Sequence, residues 1–253
     1  MRRYWVPKQA LADSQAVLDG EIFHHIFDVC RQEVGSRFEL LCGDQKAYLV
    51  EVTDVGKKSA KAQILSQRQI PPLPTPHLHL ALSIPRFPVM EAVIEKAVEM
   101  GVHTLHPFFS DFSFVRKAAS LPAAKLERWK KIIVSASQQC GRGELMSLAQ
   151  PQDLSAILQN FAQNTNPTKG RLGLFAYEGQ THKNVREHLK SIGKEDLTEV
   201  WVFVGSEGGF SPAEVHEFQR LTMEPVTLGE QVLRVETACI TLLAVLKYEF
   251  ELF

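Results

Sequence analysis

The chain has 253 residues, of which 45% are hydrophobic, so it can bury one large core or two modest ones. Its net charge of −1 argues against indiscriminate nucleic-acid binding, and no apolar run reaches the ~20 residues that span a bilayer. The first residues are charged and aromatic, unlike a signal peptide, and the cysteines lack redox-pair or metal-ligand spacing. We therefore expect a soluble, cytoplasmic protein of two domains that binds no metal.

The N-terminal domain, residues 1–70, is predicted to be mostly β-structure. Apolar residues alternate or cluster at 37–41, 47–55 and 60–65 between glycine-containing and charged turns, a pattern typical of small β-barrels. One interpretation of His24 and His25 is that they begin a short helix and have only a structural role. Histidines on such a partly apolar helix often only cap or pack, so a functional contact is one of two interpretations.

A proline-rich linker follows at residues 71–77. Positions 71–76 contain four prolines, which forbid both a helix and a regular central strand. After the linker, the pattern changes to alternating elements. Strands are predicted at 78–84, 102–109, 171–176 and 200–204, with helices at 89–100 and near 184–192. Residues 78–253 are therefore predicted to form a second domain built on a parallel α/β sheet.

Charge is unevenly distributed along this second domain. Residues 86–142 contain nine Lys and Arg against five Asp and Glu, whereas residues 143–253 contain nine against fifteen. A positive stretch of this kind suits a phosphate-contacting face, and separate solvated faces would give the same count. Lys96 and Glu99 lie three residues apart in a predicted helix, which favours a simple intrahelical ion pair.

The strongest local signal is the segment VGSEGGFSP at 204–212, which joins a predicted strand to a predicted helix. Ser211 fits an N-cap, Pro212 the first helical position and Glu214 the partner in a capping box. Phe210 and Val215 fit a hydrophobic staple. The glycines would let a ligand approach main-chain N–H groups. The segment thus predicts a ligand-binding loop, and the alternative is an ordinary tight strand-to-helix turn.

A second strand, glycine loop and helix are predicted at 226–250. The strand is expected to end at Leu228, and Gly229 to open a loop that carries Arg234 and Glu236. A helix is expected to begin at Thr237. Its expected buried face includes Ile240, Leu243 and Leu246. Because an unpaired buried charge costs several kcal/mol, the two charged residues indicate either a ligand site or a structural ion pair.

Taken in order, the segments resemble one family. VGSEGGFS and LGEQVLRVETA are similar to the two cofactor loops of the RsmE family, the ribosomal RNA uridine-N3 methyltransferases of the SPOUT superfamily. They are preceded, in the family's order, by RRYWV, FHHIFDVCR, IEKAVEMGVHTLHPFFSDFS and RWKKIIVSASQQCGR. The glycine-rich signatures of dinucleotide sites and P-loops are absent, which disfavours a dehydrogenase or an NTPase.

This resemblance implies a PUA-like RNA-binding β-barrel followed by a SPOUT parallel α/β domain with a trefoil knot, a rare topology. It also implies a homodimer formed through the knot domain and a bound S-adenosylmethionine, held by the knot loops. At the matching positions, the cofactor site would consist of Leu174, Gly205, Glu207, Gly208, Leu228, Gly229, Leu233, Thr237 and Ala238.

The implied reaction is methyl transfer to N3 of a specific uridine in small-subunit (16S) ribosomal RNA, with an assembled subunit as the expected substrate. Because N3 carries a proton between two carbonyls, the site must remove that proton or stabilise the uracil anion. Arg234 is expected to stabilise the anion, and Glu207 or Glu236 to orient Arg234 or accept the proton. The residues implied to contact RNA are Arg2, Arg3, His24, His25, Arg31, Arg86 and Arg142, the last through a phosphate.

The chain departs from the family pattern at three places. Ser206 stands where proline is usual, Arg86 stands near a usual lysine, and residues 137–139 replace a run that usually ends in Glu-Gln. Two alternative functions follow from these departures and from the cofactor loops. One is a SPOUT methyltransferase that acts on another RNA base, and the other is a catalytically silent RNA-binding protein of ribosome assembly.

Overall fold

The computed structural model describes residues 1–163, 170–179, 184–190 and 197–253. The chain divides into two compact units. Unit 1 comprises Met1–Pro72 and Val134–Leu145, and unit 2 comprises Leu73–Ile133 and Met146–Phe253. No helix in the described ranges is long and apolar enough to cross a bilayer.

The predicted domain boundaries remain a prediction, and the compact units differ from them in one segment. Val134–Leu145 clusters with the N-terminal residues, although the prediction includes it in the second domain. Two hydrogen bonds within unit 1 hold it there. The main-chain N–H of Trp5 donates to Gln138 Oε1 at 2.7 Å, and Arg3 Nη1 donates to the carbonyl oxygen of Gln139 at 3.2 Å.

Unit 1 contains a six-stranded sheet with the form of a PUA-like half-barrel. Its strands are β1 (Arg3–Trp5), β2 (Leu11–Ala12), β3 (Gln15–Asp19), β4 (Arg37–Leu41), β5 (Lys46–Val55) and β6 (Ser59–Gln69). The strand order is β1-β4-β5-β6-β3-β2, in which β1 and β4 are parallel and the other neighbours antiparallel. A short helix α1 (Gly20–Phe23) continues as a π-helical turn over His24–Val29. The predicted β-rich N-terminal region is therefore confirmed.

Unit 2 is built on a parallel α/β sheet, which confirms the predicted fold class. The strand order is β10-β8-β7-β12-β11-β13 with β9 beside β8, and the pairings in the described part of this sheet are all parallel. Its strands are β7 (His77–Ser83), β8 (Thr104–Phe109), β9 (Ser147–Leu148), β10 (Gln152–Asp153), β11 (Gly170–Ala176), β12 (Leu197–Val204) and β13 (Glu224–Val226). The trefoil knot stays a prediction, because strand order alone does not specify how a chain threads.

Six further helices lie in the described residues. They are α2 (Phe87–Glu99), α3 (Ala123–Cys140), α4 (Leu154–Gln163), α5 (Val185–Lys190), α6 (Pro212–Arg220) and α7 (Val235–Glu249). The C-terminal part of α3 belongs to unit 1. Residues 191 and 192, which the prediction assigned to the helix at α5, lie outside the described residues. On α2, Lys96 Nζ lies 3.0 Å from Glu99 Oε1, so the predicted intrahelical ion pair is confirmed.

The strand β12 and the helix α6 form where the local signals predict them. Residues 200–204 of β12 are all buried between β7 and β11, as expected of a continuous apolar run. At the start of α6, Ser211 Oγ accepts from the N–H of Glu214 at 3.3 Å, and Ser211 N–H donates to Glu214 Oε2 at 2.9 Å. The capping box is thereby confirmed, and Phe210 packs in one cluster with Val215.

Three predictions about the second loop and its helix are wrong. Strand β13 ends at Val226 and not at Leu228, because the Thr227 hydroxyl donates to the carbonyl oxygen of Gly229 at 2.8 Å and starts a turn. Helix α7 begins at Val235, two residues before the predicted Thr237, with Arg234 as its extended N-cap. Ile240 is 37% exposed. The buried face instead follows Val235, Cys239, Leu242, Leu243 and Leu246.

Candidate functional site

A cavity of about 570 Å³ lies at the carboxyl edge of the parallel sheet in unit 2. Its walls are formed by the segments that follow β7, β11, β12 and β13 and by the first turn of α7. Open parallel sheets bind their ligands outside the carboxyl ends of the strands, and this volume suits a small molecule. Of the predicted site residues, those that line the cavity are Arg86, Gly205, Glu207, Leu228, Gly229, Leu233, Arg234, Glu236 and Ala238.

Three predicted cofactor residues do not line this cavity. Leu174 is fully buried inside β11, two residues before the strand reaches the cavity at Ala176. Gly208 packs against Phe112, since a Cβ at Gly208 would lie 2.8 Å from the Phe112 Cβ. Thr237 is exposed on α7, while its two neighbours in sequence line the wall. Strand pleat accounts for Leu174 and helical rotation for Thr237, and neither is visible in a sequence motif.

Several other residues that line the cavity were not predicted from the sequence. Tyr177 and Glu178 follow β11, and residues 230–232 lie between Gly229 and Leu233. The available signal was the predicted end of a strand at Ala176, because the carboxyl ends of neighbouring parallel strands meet at one edge. The residue after that strand was therefore a candidate for the same site.

The first glycine loop is a tight turn that requires glycine at two positions. Gly209 adopts a φ of +67°, and its N–H donates to the carbonyl oxygen of Ser206 at 2.9 Å. A Cβ at Gly205 would lie 2.8 Å from the main chain of Gly209. Because the two glycines touch, the main chain of the loop is left bare beside the cavity. The loop is both a tight turn and part of the cavity wall.

Ser206, which replaces the family's usual proline, has a defined structural role. Its side chain is buried, and its hydroxyl donates to the carbonyl oxygen of Phe112 at 2.7 Å. The hydrogen bond joins the glycine loop to the segment that follows β8. The substitution is therefore accommodated by a new hydrogen bond and does not leave a buried polar group unsatisfied.

Charged side chains are concentrated in the cavity wall. Glu207 Oε1 accepts a hydrogen bond from the N–H of Arg86 at 3.1 Å, which links the loop after β12 to the start of α2. Arg234 is the exposed N-cap of α7, and Glu236 lies in the first turn of that helix. Within the described ranges, no ion pair joins Arg234 to Glu236. The alternative prediction, a structural ion pair that closes the loop, is therefore wrong. The wall contains four carboxylates, those of Glu178, Glu207, Glu230 and Glu236, against the cations of Arg86 and Arg234.

The predicted RNA-binding residues of unit 1 differ in their exposure. Arg2, His24, His25 and Arg31 are exposed. Arg3 is half-buried, and its Nε lies 3.0 Å from Glu39 Oε2. Hydrogen bonds to Glu39 from Arg68 and then from Arg3 hold the pKa of that carboxyl below its ordinary value. Arg3 is therefore already engaged by a carboxylate of its own unit.

Arg142 occupies a buried position. It is 9% exposed, and this burial lowers the pKa of its guanidinium. The expectation of a phosphate contact from Arg142 stays a prediction, since little of the side chain reaches solvent. Across the described ranges, no group of three or more His, Cys, Asp or Glu side chains could hold a metal ion.

Comparisons with known proteins agree with this architecture. The RNA methyltransferase domain family matches residues 71–247, and the RNA methyltransferase PUA domain family matches residues 18–65. The ribosomal RNA small subunit methyltransferase E of Buchnera aphidicola is 27% identical over 234 residues, which cover 92% of this chain and 87% of the relative.

Two solved structures match nearly the whole chain. A methyltransferase from Legionella pneumophila, in complex with its bound cofactor SAM, is 30% identical with a TM-score of 0.82, and the match covers 97% of this chain and 96% of that one. A ribosomal RNA small subunit methyltransferase E from Neisseria gonorrhoeae, bound to S-adenosyl methionine, is 25% identical with a TM-score of 0.82 and coverages of 98% and 97%.

Proposed function

Because the chain belongs to the RsmE family of RNA methyltransferases, we propose that it transfers a methyl group from S-adenosylmethionine to N3 of a uridine in small-subunit ribosomal RNA. One observation carries the proposal. Both predicted cofactor loops, separated in sequence by a helix and a strand, meet at a single cavity on the carboxyl edge of the sheet.

The residues of this cavity fit the cofactor. S-adenosylmethionine has an adenine and a cationic sulfur but no phosphate, so it needs apolar walls and main-chain donors and acceptors instead of a phosphate cradle. The wall supplies valine and leucine side chains, bare glycine main chain and an excess of carboxylates, which suit a positively charged group. When bound, the cofactor supplies a methyl group already activated by the positive sulfur. The residues proposed to hold it are Gly205, Glu207, Leu228, Gly229, Leu233 and Ala238.

The catalytic roles follow from where the charged groups lie. We assign the stabilisation of negative charge on the uracil ring to Arg234, a cation at the N-terminus of α7 that lines the cavity. Glu236, one residue into the same helix, is the proposed proton acceptor. Glu207 already accepts a hydrogen bond from the main chain of Arg86, so we assign it to positioning of the cavity wall.

RNA contacts are proposed for the exposed basic side chains of each unit. In unit 1 these are Arg2, Arg31 and the two histidines of the π-helical turn, and in unit 2 Arg86 at the cavity. Such contacts to phosphates would position the substrate without reading its sequence. The proposed substrate is small-subunit ribosomal RNA, for which the relatives are named, and we propose that it is methylated within an assembled subunit.

We further propose a homodimer that forms through α7. Ile240 and Tyr248 are 37% and 76% exposed, and with exposed Ala244 between them they form an apolar stripe at four-residue spacing. A Tyr248→Glu substitution is expected to convert the dimer to a monomer in sedimentation experiments. Val17→Glu, at an exposed valine of unit 1, is the matched control and should leave the dimer intact.

The proposal is tested with purified protein, labelled S-adenosylmethionine and unmodified small ribosomal subunits, followed by nucleoside mass spectrometry of the RNA. N3-methyluridine is the expected product. Detection of a different methylated nucleoside would show that the enzyme uses the cofactor but methylates another base. Tight RNA binding without methyl transfer would favour the catalytically silent protein.

Arg234→Ala tests the catalytic assignment in the same assay. Removal of a group that stabilises developing charge typically costs about 100- to 1,000-fold in kcat, and we expect a loss of that order. Arg220→Ala, at an exposed arginine of α6 that pairs with Glu217, should be as active as the wild type. Wild-type turnover and substrate affinity in Arg234→Ala would refute the assignment, and a joint loss of thermal stability and cofactor affinity would make Arg234 structural.

A further inference from the structure

Two phenylalanines are exposed on the segment that follows β8. Phe112 is 46% exposed and Phe114 is 55% exposed. Between and after them, Ser113 and Val115 are buried, and Arg116 is exposed again. Phe112, Phe114 and Arg116 therefore all present their side chains to solvent, while the residues between them are buried.

Internal hydrogen bonds make this segment rigid. The N–H of Ser110 donates to Ser113 Oγ at 3.1 Å, and Ser113 Oγ lies 2.8 Å from the carbonyl oxygen of Val115. The N–H of Phe114 donates to the carbonyl oxygen of Ile84 at 2.8 Å. The segment is thus tied to itself and to the end of β7 from its buried side.

Further bonds attach the same segment to the glycine loop and to the start of α6. Ser206 Oγ donates to the carbonyl oxygen of Phe112 at 2.7 Å, and Ser211 Oγ donates to Asp111 Oδ2 at 2.6 Å. The N–H of Asp111 donates to Glu214 Oε1 at 2.9 Å. A rigid segment that presents two aromatic rings to solvent has already lost the conformational entropy that binding would otherwise cost.

The two rings border the proposed cofactor cavity. Phe112 packs against Gly208, which lies between the lining residues Glu207 and Gly209. Phe114 contacts the ring of Phe87 edge to face, with 5.4 Å between centroids, and Phe87 directly follows the lining residue Arg86. A nucleotide whose base enters the cavity would therefore place its neighbours along this segment.

We propose that Phe112 and Phe114 form a stacking platform for the unpaired bases that flank the target uridine. The proposal rests on the proposed function and identifies the substrate as single-stranded RNA at this site. A uridine must leave its helix or stack before its N3 can meet a methyl donor, so its neighbours lose stacking partners that aromatic side chains can replace. Exposed Arg116 and Lys117 follow the rings and supply cations for the phosphates of the same strand.

The test uses Phe112→Leu, Phe114→Leu and the matching tyrosine variants of the full chain. Leucine keeps an apolar side chain but removes the π-face, whereas tyrosine keeps it. Phe253→Leu, at an exposed aromatic residue of the same unit, is the control. The probe is a fluorescent single-stranded oligouridylate, and its Kd is measured by anisotropy over a salt series, alongside KM for small subunits, cofactor affinity and thermal unfolding.

Each leucine variant is expected to raise the Kd of the oligonucleotide and the KM for subunits by about 5- to 100-fold, the range of base–aromatic stacking. The slope of log Kd against log salt should stay unchanged, because stacking releases no counterions. Tyrosine variants, Phe253→Leu and the cofactor affinity of all variants should match the wild type.

Wild-type Kd and KM in both leucine variants would overturn the platform. A raised KM for subunits with an unchanged Kd for the oligonucleotide would also overturn it, since the rings would then contact a ribosomal protein. If the leucine variants lose cofactor affinity or thermal stability and the tyrosine variants do not regain it, the rings have only a structural role. If the wild-type protein transfers no methyl group to subunits, the proposed function fails, and the oligonucleotide Kd still decides whether the rings stack bases.

Discussion

We expect acid to destabilise unit 2 through two histidines, of which His79 is buried and His106 partly buried. His79 on β7 and His106 on β8 stack on Trp201, with ring centroids 4.6 Å and 4.2 Å from it, and His79 Nδ1 lies 3.0 Å from His106 Nε2. One of these two nitrogens must accept the hydrogen bond, so protonation of both would break it. Burial lowers the pKa of His79 to about 4 and that of His106 to about 3.

The surrounding charges act on these pKa values in both directions. Glu199 raises the pKa of His79 and of His106, whereas His103 and Arg171 lower both. The balance leaves the folded protein with neutral rings well below pH 6.5, at which an unfolded histidine is half protonated. Between about pH 6.5 and pH 4 the unfolded chain thus binds more protons than the folded one, and the free energy of unfolding falls as pH falls.

The magnitude follows from the pKa difference. At pH 5 an unfolded histidine is almost fully protonated, so each buried ring costs about 2 kcal/mol of stability relative to pH 7. This figure depends mainly on the unfolded pKa, provided that the folded pKa is well below 5. Together the two rings contribute a loss of about 4 kcal/mol, a large fraction of the 5–15 kcal/mol typical of a domain.

Urea unfolding at pH 7 and pH 5, followed by tryptophan fluorescence, measures this loss. His106→Gln removes one titrating ring, and its loss between the two pH values should be about 2 kcal/mol smaller than that of the wild type. His24→Gln, at an exposed histidine of unit 1, should leave the wild-type loss unchanged. If the free energy of unfolding falls equally between pH 7 and pH 5 in His106→Gln and in the wild type, the reasoning is refuted.

Three further substitutions test the loops that form the site. Gly205→Ala places a Cβ 2.8 Å from the main chain of Gly209 and should weaken S-adenosylmethionine binding at least ~10-fold by calorimetry, because the loop must shift. Ser206→Ala leaves the carbonyl oxygen of Phe112 without its 2.7 Å donor and should cost about 1–2 kcal/mol in urea unfolding. Glu214→Ala removes half of the capping box and should lower stability by about 1–2 kcal/mol, with a lower Tm.

Each of these expectations has its own control and refutation. Gly35→Ala in unit 1, where a Cβ meets open space but a φ of +87° strains an alanine, should leave cofactor binding unchanged even where stability falls. Wild-type binding in Gly205→Ala would show that the loop has room. Ser120→Ala, at an exposed serine, is the control for Ser206→Ala. Equal free energies of unfolding in the two variants would show that the hydrogen bond from Ser206 does not stabilise the fold. An unchanged Tm in Glu214→Ala would mean that other bonds hold the start of α6.

Much of the fold could be predicted because its signals are local. The buried run of β12 and the capping box of α6 each depend on about ten neighbouring residues, and both were confirmed. The four prolines at 71–76 lie between β6 and β7, and the domain boundaries drawn there remain a prediction. The second loop was less predictable. Hydrogen bonding by Thr227 ends β13 early, and the extended Arg234 starts α7 early, and neither has a distinctive sequence pattern.

The candidate site was predicted as two loops, whose composition by itself pointed to a glycine-lined cavity in unit 2, and both loops do line one cavity. Only the tertiary structure decided which side chains reach it. Leu174, Gly208 and Thr237 match the family's positions and do not line the cavity, whereas Glu178, outside the motifs, lines it. Side-chain direction depends on pleat and helical rotation, which vary within a motif of constant sequence.

By itself, the sequence determined where strands β7, β8, β11 and β12 and helices α2, α5 and α6 lie, since apolar periodicity and capping residues act on neighbouring residues. It did not predict helices α3 and α4. Tertiary structure decided the contacts between distant segments. Glu207 meets the main chain of Arg86 across 121 residues, Ser206 meets Phe112 across 94, and His79 meets His106 across 27. Such contacts require that strands far apart in sequence become neighbours in the sheet, and local propensity does not encode that order.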